Sequence, residues 1–194
     1  MPAMNNALLV IDIQDSFKVS PARWASRSNP RFEENVTELI AAFRAADRPV
    51  LFVLHNDSDP GFRPGDPEVR LMSFLDRREG EPLVVKNTRN AFTSTDLQAR
   101  LDALGVTRVA VCGISTEQCC ETTTRVAADL GYEVDFVTEA TMTFPIGTLS
   151  TDAIVERTEA VLRGRFARLA TVDGLAAELA VRPEPAEAAL ACSA

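Results

Sequence analysis

Histidine, tryptophan and tyrosine each occur once in these 194 residues, as His55, Trp24 and Tyr132. A single imidazole excludes a multi-histidine zinc site, so a metal centre would have to draw most of its ligands from carboxylates. Cysteine is scarce as well: Cys112, Cys119, Cys120 and Cys192 form no C-x-x-C pair, and two of them are adjacent. Adjacent cysteines close a strained ring on oxidation and cannot staple distant segments. Reduced thiols, and with them a cytoplasmic location, are therefore expected. No apolar run approaches the roughly 20 residues that cross a bilayer. The N-terminus lacks a charged segment followed by an apolar one, so neither a membrane partner nor a secretory leader is expected. Basic charge is also short, with 20 Lys and Arg against 28 Asp and Glu for a formal net charge of −8. That balance argues against nucleic acid as a general partner, because phosphate binding needs clustered cations.

What is present is an ordinary globular composition, 46% hydrophobic, in a chain long enough to bury a substantial core. The organising stretch is Arg108 to Leu130. Val109-Ala110-Val111-Cys112 reads as a buried strand bounded by Gly113. Ser115-Thr116-Glu117-Gln118 is a helix-start composition, and Val126, Ala127 and Leu130 carry the helical period on to Gly131. Cys119 then sits in the first turn of a helix that follows a strand. Free backbone N–H groups and the positive helix end are expected there to stabilise a thiolate, lower the thiol pKa and hold an oxyanion. The alternative is a small buried helix residue.

The same rhythm recurs along the chain. Ala7 to Ile11 is a continuous apolar run, suited to a central parallel strand, that ends in Asp12. That aspartate is either a turn cap or a group at the ligand-binding edge of the sheet. Residues 18–31 read as a loop carrying Trp24, and a helix with Phe32, Val36, Leu39, Ile40 and Phe43 on one face follows. Val50 to Leu54 is a second strand with His55 at its end, where the ring either lines a site or bonds loop carbonyls. The stretch from Glu68 to Arg77 fits a short helix or irregular cover equally well. Pro82 to Val85 is a third strand, terminated by Lys86, whose charge must find a partner or snorkel to water. Thr93 or Ser94 then caps a helix with Leu97, Leu101 and Leu104 on one face. A fifth strand spans Tyr132 to Val137, and Thr141 to Ser150 reads as a loop. A helix begins at Thr151, Phe166 to Ala170 is a sixth strand, and a short helix covers Asp173 to Ala180. The Pro-, Glu- and Ala-rich residues 182–194 read as a mobile tail beyond a single domain at 1–181. Alternating strands and helices predict an open, mostly parallel sheet covered on both faces, a Rossmann-like α/β architecture.

In such a sheet all strand C-termini share one edge, so Asp12, Lys86 and Cys119 can converge. An acid to take the proton, an ammonium to stabilise the thiolate and a sulfur nucleophile form a complete set without histidine. On these residues the chain resembles the isochorismatase-like cysteine hydrolases, a superfamily that includes nicotinamidases and N-carbamoylsarcosine, ureidoacrylate and maleamate amidohydrolases. The resemblance runs from about Ala7 to Leu179. It is carried by Leu9-Val10-Ile11-Asp12-Ile13-Gln14, by Lys86 with Asn90-Ala91-Phe92 (where Asn stands for the usual Ser), and by Gly113-Ile114-Ser115-Thr116-Glu117-Gln118-Cys119-Cys120-Glu121-Thr122-Thr123. Gly131-Tyr132 and Glu139-Ala140 also match, the latter where the family usually has Asp-Ala.

The resemblance implies a three-layer α/β/α sandwich on a six-stranded sheet and catalytic Asp12, Lys86 and Cys119. It also implies a cis peptide between Ile114 and Ser115, with the backbone N–H groups of Ser115 and Cys119 as oxyanion donors. Alignment with the motif selects Cys119 over Cys120, which takes the family's Val position and should point into the core. Nicotinamidases of this superfamily bind a metal through an Asp and two His. With His55 alone that site is not expected, and no cofactor or metal is implied. Isochorismatases proper lack the nucleophilic cysteine, so the expected reaction is hydrolysis of a C–N bond in a small amide, ureide or lactam through a thioester. Phe17, Trp24, His55, Phe92 and Phe144, which follow strand ends or lie in the loops beyond them, are the candidate substrate contacts. A homodimer or homotetramer is implied by the family habit. A catalytically idle small-molecule-binding or scaffold member of the same fold is the alternative, and a redox protein using Cys119 and Cys120 is disfavoured by the missing C-x-x-C.

Overall fold

The computed structural model describes residues 5–181, so the predicted tail at 182–194 lies outside the described residues. Six strands form one sheet: β1 (Asn6–Ile11), β2 (Val50–His55), β3 (Leu83–Lys86), β4 (Arg108–Ile114), β5 (Glu133–Met142) and β6 (Arg168–Leu169). Their order is β3-β2-β1-β4-β5-β6, and every pairing is parallel. Helices α1 (Pro21–Ala25), α2 (Phe32–Ala45), α3 (Leu97–Ala103), α4 (Glu121–Asp129), α5 (Thr151–Leu162) and α6 (Val172–Ala180) complete the layers. Among the described residues no helix is long and apolar enough to cross a membrane.

The central strand shows why its apolar run is unbroken. A strand covered on both faces must send alternate side chains into two cores. Leu8 and Val10 enter the core shared with Phe32, Val36, Leu39 and Phe43 of α2 and Leu175 of α6. Ala7, Leu9 and Ile11 enter the other core, with Leu97 and Leu101 of α3, Ala127 of α4 and Leu162 of α5. The edge strand β3 alternates instead, with Leu83 and Val85 exposed while Val84 and Lys86 are buried.

Several elements differ from expectation for local reasons. The stretch read as a loop at 18–31 contains α1, started by Pro21 in its first turn and capped by the Ser20 hydroxyl, which accepts from Arg23 N–H. Trp24 is therefore helical. Residues 68–72 form no helix: Ile13 C=O accepts from Met72 N–H at 3.0 Å and Arg70 C=O accepts from Asp15 N–H at 3.0 Å, so the segment is tied to the exit of β1. Neither Thr93 nor Ser94 caps α3; the Thr95 hydroxyl accepts from Leu97 N–H at 3.1 Å, and Leu104 lies past the helix, exposed. β5 continues through Thr138 to Met142 because its register against β4 shifts between Val111 and Gly113. The expected sixth strand shrinks to two residues.

Gly113 marks a close approach of β4 to β1. Its φ is 132°, and a Cβ there would stand 1.9 Å from the carbonyl oxygen of Ile11. Gly131 also has a positive φ, 93°, but open space around it. Gly113→Ala is expected to cost about 3 kcal/mol or more by urea unfolding, through steric overlap that no rotamer relieves. Gly131→Ala should cost only the backbone penalty, about 1–2 kcal/mol. Equal losses at the two positions would contradict the close packing of β1 on β4.

Candidate active site

The strand order reverses between β1 and β4, where the two neighbours of the central strand are reached by crossovers in opposite directions. A crevice opens at the carboxyl ends of strands on such a switch point. Asp12 follows β1 there with φ 51°, a left-handed conformation that Asp tolerates better than most residues. Its N–H donates to Val53 C=O at 2.9 Å and so fixes it to β2. Lys86 ends β3, in register with His55 on β2. Cys119 comes from the segment after β4, Thr116–Cys120, which is wound as a π-helix with Cys120 N–H donating to Ser115 C=O at 3.2 Å. The Ile114–Ser115 peptide is cis.

The structure brings the three predicted side chains together. Lys86 Nζ donates to Asp12 Oδ2 at 2.7 Å and to Cys119 Sγ at 3.3 Å, and lies 3.0 Å from His55 Nδ1. Lys86 and Asp12 are 0% exposed and Cys119 4%. A buried ammonium needs each of its three N–H donors matched, and these three acceptors match them. The other carboxylate oxygen, Asp12 Oδ1, is buried with no hydrogen-bond partner among the described residues. Cys120 is fully buried in the core between the sheet and α3, α4 and α5, as its place in the motif predicts.

Burial favours the protonated form of the sulfur, against the expectation of a stabilised thiolate. Burial pushes the Cys119 pKa up to about 12, and the Asp12 carboxylate adds to that rise while Lys86 opposes it. Desolvation of a charged sulfur outweighs one ammonium that is already shared with a carboxylate.

A cavity of about 100 Å³ borders the sulfur, lined by Phe17, Arg23, His55, Asp57, Phe62 and Arg89 with Ser115, Gln118 and Cys119. Of the predicted substrate contacts, Phe17 and His55 lie on this wall. Phe144 stands one layer back, stacked on Phe17 with centroids 5.9 Å apart. Trp24 is absent from the lining; it packs on the α2 side of the sheet with Arg27 over its ring. Phe92 requires the clearest correction. It stacks on Tyr132 at 6.0 Å in the core on the opposite face of the sheet, because the turn made by Asn90 sends it inward.

Sequence reading missed Arg23, Asp57, Phe62, Arg89 and Gln118, which reach the cavity from loops whose paths no periodicity encodes. It also gave no role to Gln14. That buried side chain donates to His55 C=O at 3.0 Å and accepts from His55 N–H at 2.7 Å. Gln14 thus clamps the end of β2 to the exit of β1, a physical reason for glutamine two residues after the aspartate. The clamp places the His55 ring beside Lys86. Burial, and then the Lys86 charge, hold the His55 pKa below its ordinary value, so the ring is neutral near pH 7.

The isochorismatase domain model matches residues 6–173. The chain belongs to the isochorismatase family. A protein of that family from Chromobacterium violaceum has the same fold with a TM-score of 0.83 and 30% identity, covering 92% of this chain and 98% of the other. Nicotinamidase 3 of Arabidopsis thaliana is 35% identical over 153 residues, 71% of this chain and 73% of that protein. A streptothricin hydrolase of Streptomyces noursei is 37% identical over 142 residues, 72% of this family member and 50% of the longer relative.

The metal that nicotinamidases of the family bind does not fit the donors present in this member. Among the described residues no group of three His, Cys, Asp or Glu side chains is placed to hold an ion. Where His55 Nε2 and Asp57 Oδ2 come together, the Arg89 guanidinium already lies against both, at 2.6 and 2.9 Å.

The Cys119 titration has a defined sign. A folded pKa raised above the ordinary 9.0 gives stability that is complete below about pH 9 and lost as pH rises toward 12. The ultraviolet thiolate signal of the native protein, taken as the difference from Cys119→Ser, is expected to stay silent between about pH 7 and 10. A transition near or below the ordinary thiol range of about 8.5 would contradict the buried-thiol description.

Proposed function

We propose that this protein is a cysteine-dependent hydrolase that cleaves the C–N bond of a small amide, ureide or lactam through a thioester. The observation that carries the reading is the shared ammonium: one buried Lys86 Nζ touches both the Asp12 carboxylate and the Cys119 sulfur at the wall of a cavity. Relatives named as a nicotinamidase and a streptothricin hydrolase support amide-type chemistry for this chain.

Because the resting sulfur is protonated, attack and deprotonation belong to one step. The C–S bond forms as the thiol proton moves to Asp12, whose unpartnered Oδ1 can receive it. Lys86 stays at the sulfur and offsets the charge that develops there. The carbonyl oxygen becomes an oxyanion facing the N–H groups of Ser115 and Cys119, the donors that the family resemblance implies. Collapse breaks the C–N bond, and the leaving nitrogen takes the proton back from Asp12. Water then adds to the thioester, gives its proton to Asp12 and releases a carboxylic acid as the thiol is restored. Proton, sulfur and carboxylate each return to their starting state.

This reading is tested by purifying Cys119→Ala, Lys86→Met and Asp12→Asn and assaying each on a panel of amides, ureides and lactams, with and without chelator. Each substitution is expected to lower kcat by about a thousandfold or more, and chelator to change nothing. A wild-type turnover that survives in Cys119→Ala would remove the nucleophile assignment. Quenched reactions should also yield an acylated Cys119 peptide by mass spectrometry. Hydrolysis without any such adduct, even in an acid-quenched burst, would favour direct attack by water.

A further inference from the structure

The cavity wall carries two arginines, Arg23 without an ion pair among the described residues and Arg89 paired with Asp57. Arg23 on α1 lies with its guanidinium 4.5 Å from the Phe144 ring centroid and 6.0 Å from that of Phe17. It forms no ion pair among the described residues. The two rings stack on each other, Phe17 on the cavity wall and Phe144 behind it, and engage the guanidinium without consuming its N–H groups.

Arg89 presents a different imbalance, visible by counting lone pairs. A neutral imidazole offers one acceptor nitrogen and one N–H. Two cations nevertheless approach the His55 ring, Lys86 Nζ at Nδ1 (3.0 Å) and Arg89 Nη1 at Nε2 (2.6 Å). Both cannot be served. Lys86 is fully buried and has no other acceptor for its third N–H among the described residues, so it takes the lone pair. Nε2 then carries the ring hydrogen, which points toward Asp57 Oδ2 at 3.3 Å. Arg89 Nη1 is left facing a donor, while its Nη2 keeps Asp57 at 2.9 Å. Its side chain is 52% exposed, so an entering group can reach it while Nη2 stays on Asp57. An acceptor entering the cavity would relieve the conflict.

We infer that Arg23 and Arg89 form a subsite for an anionic group, such as a carboxylate, set a short spacer away from the scissile carbonyl. Two acidic residues also face the cavity. Asp57 is engaged by Ser58 N–H at 2.6 Å and by Arg89, which hold its pKa down to about 2, so it anchors Arg89 and does not compete with it for the ligand. Asp59 lies on the exposed rim and opposes an incoming anion. Arg89→Gln therefore removes a ligand contact, whereas Asp59→Asn removes a repulsion. The subsite refines the amide-hydrolase reading by naming a substrate class, but recognition of the anion does not require turnover.

Iodoacetate and iodoacetamide separate the two questions, since they alkylate the same sulfur by the same displacement of iodide and differ in one charge. The rate ratio of acetate to acetamide reagent at Cys119, followed by peptide mass spectrometry, is compared with the ratio on glutathione. The wild-type ratio is expected to exceed the glutathione ratio by about fivefold or more for each arginine, and to fall with added salt. Arg23→Gln and Arg89→Gln should each lower it, Arg89→Lys should retain part of it, and Asp59→Asn should raise it. Taking the ratio within one sample cancels differences in folding and thiol reactivity. A wild-type ratio no higher than that of glutathione, or one indifferent to both arginine substitutions, overturns the subsite. A high ratio in a protein that hydrolyses no amide keeps the subsite and overturns the amide-hydrolase reading instead.

Discussion

An ammonium group with no access to water has to be surrounded by acceptors, and that requirement at Lys86 shapes this end of the molecule. Its three contacts come from three different strand ends: Asp12 after β1, His55 on β2 and Cys119 beyond β4. Removing any acceptor would leave a buried donor unmatched, at a cost of about 1–3 kcal/mol even before charge is counted. The contacts therefore tie the strand ends together around the Cys119 sulfur.

The supporting shell follows from that demand. Gln14 fixes the backbone of His55, and the Ser16 hydroxyl accepts from the Gln14 amide at 2.7 Å and donates to Glu68 C=O at 3.1 Å. A chain of hydrogen bonds thus runs from the site into the irregular segment that covers it. On the far side, Gly113 lets β4 pass so close to β1 that no side chain fits between. Cys119 is thereby brought within reach of a lysine on the edge strand, two strands away from β4's neighbour β1. The same burial that seals Lys86 also raises the Cys119 thiol pKa.

The amino-acid sequence by itself determined the layers and the rim. Short apolar runs ending in Asp12, Lys86 and Gly113 read as strands, and parallel strands put their carboxyl ends on one edge. Convergence of Asp12, Lys86 and Cys119 was legible for that reason, as was the inward direction of Cys120. Tertiary structure alone decided the direction in which the Cys119 pKa moves, because desolvation depends on what surrounds a group and not on its neighbours in sequence. It also decided which aromatic side chains face the cavity. Phe92 and Phe17 are equally apolar and both lie in segments beyond strand ends, yet a turn at Asn90 packs one against Tyr132 while the other lines the site. Arg23, Asp57 and Arg89 reach the cavity along loop paths set by caps and single hydrogen bonds, for which the sequence carries no period to read.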